Sequence, residues 1–175
     1  MVLRVDELRK LGGVPCPELR ADPPGCGIHQ IRPGICRRYQ CLWLQGKLDE
    51  EDRPDRLGAV VDLASQMGIA HLSIREAEPG ALDRSPRLRA IADRFREAVP
   101  VRVADARDAT DPDAPFRLLL PGGLERRVAG DRVTELRDGV VVAERTLPAF
   151  ERFVRQVRSR WRAWRQRDYR GNDAR

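Results

Sequence analysis

Apolar positions after residue 58 recur at strand and helix spacing. Between residues 70 and 75, apolar and polar side chains alternate with a period of two, which predicts a strand with His71 on its polar side. Shorter strands are predicted near Val60 and Val101. Ser85 followed by Pro86 is typical of a helix start. The apolar face of that helix comprises Leu88, Ile91, Ala92, Phe95 and Val99.

Two hairpins are predicted further along the chain. Pro121-Gly122-Gly123 separates the apolar runs 116–120 and 124–128, and Asp138-Gly139 separates 133–136 from 140–144. Consecutive strands joined by short turns predict an α+β fold, with an antiparallel sheet and one or two helices on one side. This small α+β sheet region is expected to span residues 58–146.

A long basic helix is predicted over residues 147–168, and residues 169–175 are expected to form a disordered tail. The helix carries an apolar stripe at helical spacing, formed by Phe150, Val154, Val157, Trp161 and Trp164.

Residues 14–41 show a different pattern, because prolines and glycines interrupt every short apolar run. All four cysteines of the chain lie in this segment, at Cys16, Cys26, Cys36 and Cys41. Clustered thiolates usually hold zinc or an iron–sulfur cluster. A bound metal would also supply folding free energy that so polar a segment lacks. We therefore predict an irregular, cysteine-rich metal-binding loop module over residues 1–57.

The spacing of the cysteines leaves two kinds of metal centre open. Zinc modules usually contain CxxC pairs, and this chain has none. Dispersed ligands suit a larger iron–sulfur cluster at least as well, so the spacing favours an iron–sulfur cluster slightly, with one zinc ion as the alternative.

The N-terminus and the hydropathy pattern indicate where in the cell the protein is expected. No run of 18 apolar residues is present, so no transmembrane segment is predicted. The first residues lack an apolar stretch after a basic start, which argues against a signal peptide. We therefore expect a cytoplasmic protein, in which thiols stay reduced.

Several polar residues near the cysteines are candidates for a supporting role. They are His29, Arg32, Arg37 and Arg38. His29 follows Cys26 by three residues, so it could ligate the metal or hydrogen-bond a sulfur, and the alternative is an ordinary surface ring. The arginines would offset the charge of several thiolates, or else pair with the acidic residues 49–52. No paired acid–base motif is present, so no catalytic residue is predicted.

The net charge of +6 comes from the C-terminal region, where residues 145–175 carry ten arginines and three acidic residues. The candidate contact residues on the predicted helix are Arg155, Arg158, Arg162 and Arg165. They would suit nucleic acid, an anionic membrane surface or an acidic partner protein. Alternatively, the apolar stripe packs on the sheet and the arginines form a solvated face.

The sequence GCGIHQIRPGICRRYQC, from Gly25 to Cys41, resembles the YkgJ-type family of zinc- or iron-chelating cysteine-cluster proteins. The likeness rests on three cysteines and an Arg-Pro pair in register, extends to Cys16-Pro17, and covers roughly residues 14–60. It implies metal chelation by Cys16, Cys26, Cys36 and Cys41. The CxxCC that commonly precedes this pattern in the family is absent here, so we expect one metal centre. The family's tyrosine position is occupied by His29.

These observations give two functional hypotheses. The first is an iron–sulfur protein acting in electron transfer, redox sensing or cluster handling. The second is a structural zinc module in a non-enzymatic binding or adaptor protein, which contacts nucleic acid or an acidic partner through its arginine-rich helix.

Overall fold

The N-terminal part of the chain is built from very short elements. The computed structural model describes residues 3–23, 25–66, 68–108, 111 and 113–169. Strands β1 (Leu19–Arg20) and β2 (Gly25–Cys26) pair as an antiparallel hairpin, and helices α1 (Gly34–Arg38) and α2 (Pro54–Leu57) follow. Single 3-10 turns cover Asp6–Leu8, His29–Ile31 and Glu50–Asp52.

A seven-stranded sheet forms the centre of the molecule, and its strands lie side by side in chain order. The strands are β3 (Ala59–Gln66), β4 (Ile69–Glu76), β5 (Val101–Asp105), β6 (Phe116–Leu119), β7 (Leu124–Ala129), β8 (Arg132–Arg137) and β9 (Val140–Thr146). Both predicted hairpins are present, as β6–β7 and β8–β9. The predicted mixed α+β fold with a sheet is therefore confirmed.

One strand pair departs from the predicted antiparallel sheet. β4 and β5 are parallel, with Leu72 opposite Val101, and the prediction was wrong for this pair. Two helices connect them, α3 (Ala81–Arg84) and α4 (Pro86–Arg96). A helical crossover of this length returns the chain to the same end of the sheet, as parallel pairing requires. Ser85 caps α4 as predicted, because its hydroxyl accepts a hydrogen bond from the Leu88 N–H at 3.1 Å.

The main core lies between α4 and one face of β3–β6. Its most buried side chains come from alternate strand positions and from the predicted apolar face of α4; they include Leu72, Ile74, Leu88, Ala92, Val101 and Leu119. Leu42 and Leu57 belong to the same cluster. The predicted N-terminal module therefore packs against the sheet region rather than standing apart from it, although its predicted boundary at residue 57 stays a prediction.

The predicted C-terminal helix is confirmed as α5 (Ala149–Arg165), but its apolar stripe does not pack on the sheet. Phe150, Val157, Trp161 and Trp164 are all exposed. Tyr169, which was expected to belong to a disordered tail, has a defined place: its hydroxyl donates a hydrogen bond to Asp6 Oδ1 at 3.0 Å. The rest of that predicted tail, residues 170–175, lies outside the described residues.

An arginine that bridges two elements should make the fold sensitive to acid. Arg117 on β6 donates to Asp83 on α3 at 2.6 Å and to Glu125 on β7 at 2.8 Å. The hydrogen bond from Arg117 lowers the pKa of Asp83. Burial raises the pKa of Glu125, but hydrogen bonds from Arg127 and Arg117 outweigh burial, and the pKa of Glu125 is lowered overall.

Because both carboxyl pKa values are depressed by folding, their contribution to stability is present above the ordinary values of 3.8 and 4.5 and is lost as the pH falls through the depressed values. We expect the free energy of unfolding of Arg117→Met to fall less steeply with decreasing pH than that of the wild type, below about pH 4. Urea unfolding at a series of pH values measures this slope. An unchanged slope in the variant would contradict the bridge.

Gly13 fixes the N-terminal segment against the loop that follows β5. Its φ is +75°, and an added Cβ would lie closer than 3.0 Å to backbone atoms of Arg107. We expect Gly13→Ala to destabilise the protein by about 2 kcal/mol, since both the backbone conformation and the contact are violated. Gly46→Ala is the matched control: its φ is +67° with no atom near the added Cβ, so only the smaller conformational cost should appear in thermal unfolding.

Candidate metal centre

Local turns and one short hairpin bring two of the four cysteines together. The Leu19 N–H donates to the carbonyl of Cys16 at 3.1 Å, which closes a turn leading into β1. Leu19 then lies opposite Cys26 in the β1–β2 pair. Cys16 is half-buried and Cys26 is exposed, so this side of the site faces solvent.

Cys36, in the middle of α1, shares this neighbourhood. Burial raises the pKa of the Cys36 thiol, and the charges of Cys16 and Cys26, and then of Glu7, raise it further. The charges of Cys16 and Cys26 therefore reach Cys36, and all four cysteines are free thiols.

A buried lysine lies beside these thiols. Lys10 is 2% exposed, and its ammonium donates to the carbonyl oxygens of Leu3 at 2.6 Å and Leu11 at 2.9 Å. Burial lowers the pKa of Lys10, while the negative charges of Cys16 and Cys36 oppose that shift. The Lys10 charge opposes the rise in the pKa of Cys36, but burial and the neighbouring negative charges outweigh it.

Cys41 lies apart from the other three cysteines. It is 3% exposed and packs in a small apolar cluster with Val60 and Ala106, flanked by Tyr39 and Trp43. Within the described ranges, no three His, Cys, Asp or Glu side chains converge closely enough to hold a metal ion. The thiol chemistry fits a zinc or iron–sulfur centre, but in the described residues the four cysteines do not form one ligand set, and Cys41 is packed in the apolar cluster.

The residues predicted to support the metal centre differ in their exposure and in their contacts. His29 is exposed in its 3-10 turn, and Arg37 and Arg38 are exposed on α1. Arg32 is half-buried, and its Nε has no hydrogen-bond partner in the part of the chain that the structure describes. The alternative pairing of these arginines with residues 49–52 is wrong, because Arg87 and Arg53 bind those acids instead.

Lys10 and Glu7, whose charges act on Cys36, were not predicted from the sequence. A signal for Lys10 was available: it is one of only two lysines in a chain that otherwise uses arginine for its basic side chains, the other being Lys47. Lysine suits this place because its compact ammonium can be enclosed by two carbonyl groups, whereas a guanidinium requires more space and more acceptors.

The arginines predicted to contact nucleic acid or a partner mostly face the body of the protein. Arg158 donates to Asp113 Oδ1 at 2.7 Å, Arg162 to Asp113 Oδ2 at 2.9 Å, and Arg155 Nε lies 3.9 Å from Asp113 Oδ1. Arg165 instead stacks on the Trp161 ring, 4.8 Å from its centre. Of the four candidate contacts, Arg165 is the one directed away from Asp113.

Comparisons with known proteins found no match among family models, curated proteins or solved structures. The resemblance to the YkgJ-type family therefore stays a prediction. In the described residues, no helix has both the length and the apolar content needed to cross a bilayer.

Proposed function

We propose that this protein holds one metal centre in the segment from Cys16 to Cys41, and that this centre is an iron–sulfur cluster with a redox, electron-transfer or cluster-handling role. The observation that supports the proposal is the approach of Cys16 to Cys26 through the Leu19 turn and the β1–β2 pair, with Cys36 following on α1. A loop, a strand and a helix contribute these thiols, as expected when dispersed ligands surround a large centre rather than a single knuckle.

The surroundings of the three thiols suit a redox role. Cys26 is exposed, so a centre bound there would be accessible to a partner that donates electrons or receives a cluster. The cluster, when bound, supplies one-electron chemistry. The contribution of this chain is electrostatic: the Lys10 ammonium, fixed by two carbonyl oxygens, favours added negative charge in its vicinity.

Cys41 is proposed as the fourth ligand on the strength of the resemblance alone. Its thiol would have to leave the apolar cluster with Val60 and Ala106, so the three or four residues after α1 would change conformation on metal binding. The alternative is a three-thiolate centre with one position open to an external ligand, which would suit cluster transfer.

A structural zinc site is the second candidate, because the N-terminal elements are too short to be stable alone. β1 and β2 have two residues each and α1 has five, so a tetrahedral metal would supply much of their ordering free energy. The protein would then act as a binding or adaptor subunit, with Arg165 and its neighbours on α5 contacting nucleic acid or an acidic partner. Binding to nucleic acid would weaken steeply with salt.

Absorption spectroscopy of protein purified without oxygen distinguishes the two candidates. A broad visible band together with about four irons and four sulfides per chain would support the cluster. A colourless protein with about one zinc per chain would support the structural site. Protein that binds neither metal after reconstitution with iron and sulfide, or with zinc, would reject both proposals.

A further inference from the structure

The exposed side of α5 is a continuous apolar stripe. Phe150, Phe153, Val157, Trp161 and Trp164 are 78%, 63%, 49%, 56% and 65% exposed. Their spacings of three and four residues place them in one row along the 17-residue helix. Isolated exposed apolar side chains are ordinary, but a row of five that includes four aromatic rings marks an interaction surface.

Ion pairs hold the stripe facing away from the protein. Asp113, whose side chain is 8% exposed, binds Arg158 and Arg162 on the opposite side of the helix. Arg152 pairs with Asp131 at 3.5 Å near the start of α5, and Tyr169 bonds to Asp6 just beyond its end. The helix is therefore fixed at both ends and in the middle, with its aromatic side presented outwards.

Two arginines flank the stripe, one on each side. Helical periodicity of 100° per residue places Arg160 on one border of the row and Arg165 on the other. Both are exposed, and among the described residues neither lies within 4.0 Å of a carboxylate oxygen. The single acidic residue of α5, Glu151, lies on the side facing the protein and pairs with Arg155 at 3.3 Å.

We infer that α5 binds the surface of an anionic lipid bilayer, lying in its plane. An aromatic row would enter the boundary between headgroups and acyl chains, while arginines on both borders reach the lipid phosphates. Each arginine near an anionic surface strengthens partitioning. This inference is independent of which metal the cysteine segment binds.

The charges argue against other occupants of the stripe. A second copy of α5 would bring Arg160 and Arg165 next to like charges along a desolvated seam. Nucleic acid binding depends on many phosphate contacts, yet Arg155, Arg158 and Arg162 are directed at Asp113, which leaves few arginines of α5 for a phosphate backbone. Val157 in the middle of the row also offers no ring on which a base could stack.

Co-sedimentation of the full chain with vesicles tests the inference. We expect binding to vesicles of phosphatidylcholine with phosphatidylglycerol, weak binding to phosphatidylcholine alone, and weaker binding at high salt. In a Trp43→Phe background, emission from Trp161 and Trp164 should shift to shorter wavelength on binding, because their rings leave water. Equal binding to both kinds of vesicle would overturn the anionic requirement.

Matched variants distinguish membrane binding through the stripe from nonspecific membrane binding. Trp161→Ser combined with Trp164→Ser should reduce binding by more than about tenfold, and Arg160→Gln or Arg165→Gln by roughly fivefold each. Ile69→Ser removes a side chain that is equally exposed, at 64%, but lies outside α5, and Arg137→Gln removes an exposed arginine on β8. Both control variants should bind like the wild type.

Two other results would overturn the inference. Light scattering could show a dimer without lipid that the double tryptophan variant dissociates, which would assign the stripe to a second copy. A single-stranded oligonucleotide could bind with an affinity that falls in the same double variant while no vesicle binds, which would assign it to nucleic acid.

Discussion

Replacing Cys36 by serine is expected to remove the metal from the purified protein and to loosen residues 14–41. Cys36 lies in the middle of α1, and burial raises its pKa, with further contributions from the charges of Cys16 and Cys26. A serine hydroxyl keeps the shape but does not replace a soft thiolate ligand. We expect bound metal to fall from about one centre per chain to less than a tenth of that amount.

Metal analysis combined with hydrogen exchange checks this expectation. Amides of residues 14–41 should exchange faster in Cys36→Ser, while β4 and α4 keep their protection because their core does not include this cysteine. Retention of a full complement of metal in Cys36→Ser would refute the proposed site. Cys41→Ser addresses the fourth ligand: if that variant keeps its metal, the centre has three protein thiolates.

Replacing Asp113 by alanine is expected to detach α5 from the rest of the protein. Its nearly buried carboxylate accepts hydrogen bonds from Arg158 and Arg162 and lies close to Arg155, and no large apolar side chain of α5 is fully buried to compensate. Removing the nearly buried carboxylate at the centre of this charge network costs about 3 kcal/mol, because Arg158, Arg162 and Arg155 all lose the same acceptor at once.

A loss of this size should raise the rate of tryptic cleavage within α5 roughly hundredfold, provided that cleavage requires local opening. Asp131→Ala is the matched control, since Asp131 is exposed and makes one 3.5 Å pair with Arg152. It should change the rate by less than about fivefold. Equal cleavage of wild type and Asp113→Ala would show that other contacts hold the helix.

The strands and turns of this protein are predictable because their signals are local. The alternation over residues 70–75 identifies β4 directly. At the β8–β9 turn, Asp138 and Gly139 have φ values of 51° and 83°, which is the left-handed backbone that an Asp-Gly pair favours. The parallel pairing of β4 with β5 was missed, although a strong helix start lay between two predicted strands.

The orientation of α5 could not be read from its amphipathic pattern. Periodicity identifies which side of a helix is apolar, but the direction in which that side faces depends on what the other side contacts. Here that contact is Asp113, in a polar loop whose sequence has no periodic signal. The pattern alone favoured packing of the stripe on the sheet, and the structure has the opposite arrangement.

The position of Cys41 has a similar explanation. Leu42, which directly follows Cys41, lies in the main core and anchors the end of the cysteine segment. Cys41 and Trp43, on either side of Leu42, lie together in the second cluster. The anchor that attaches the segment thus also removes one thiol from the other three.

The side-by-side order of the seven strands has a consequence for the stability of the chain without the proposed metal. Each strand from β7 to β9 pairs with its predecessor across a short connection. Such local pairing closes with little loss of chain entropy and is typical of rapidly forming sheets. The Leu42 N–H bonds to the Val61 carbonyl on edge strand β3, so the cysteine segment is attached at one edge of the sheet and not within it. On the proposed function, a chain without metal would therefore keep its sheet, and the loss of order would be confined to the N-terminal segment.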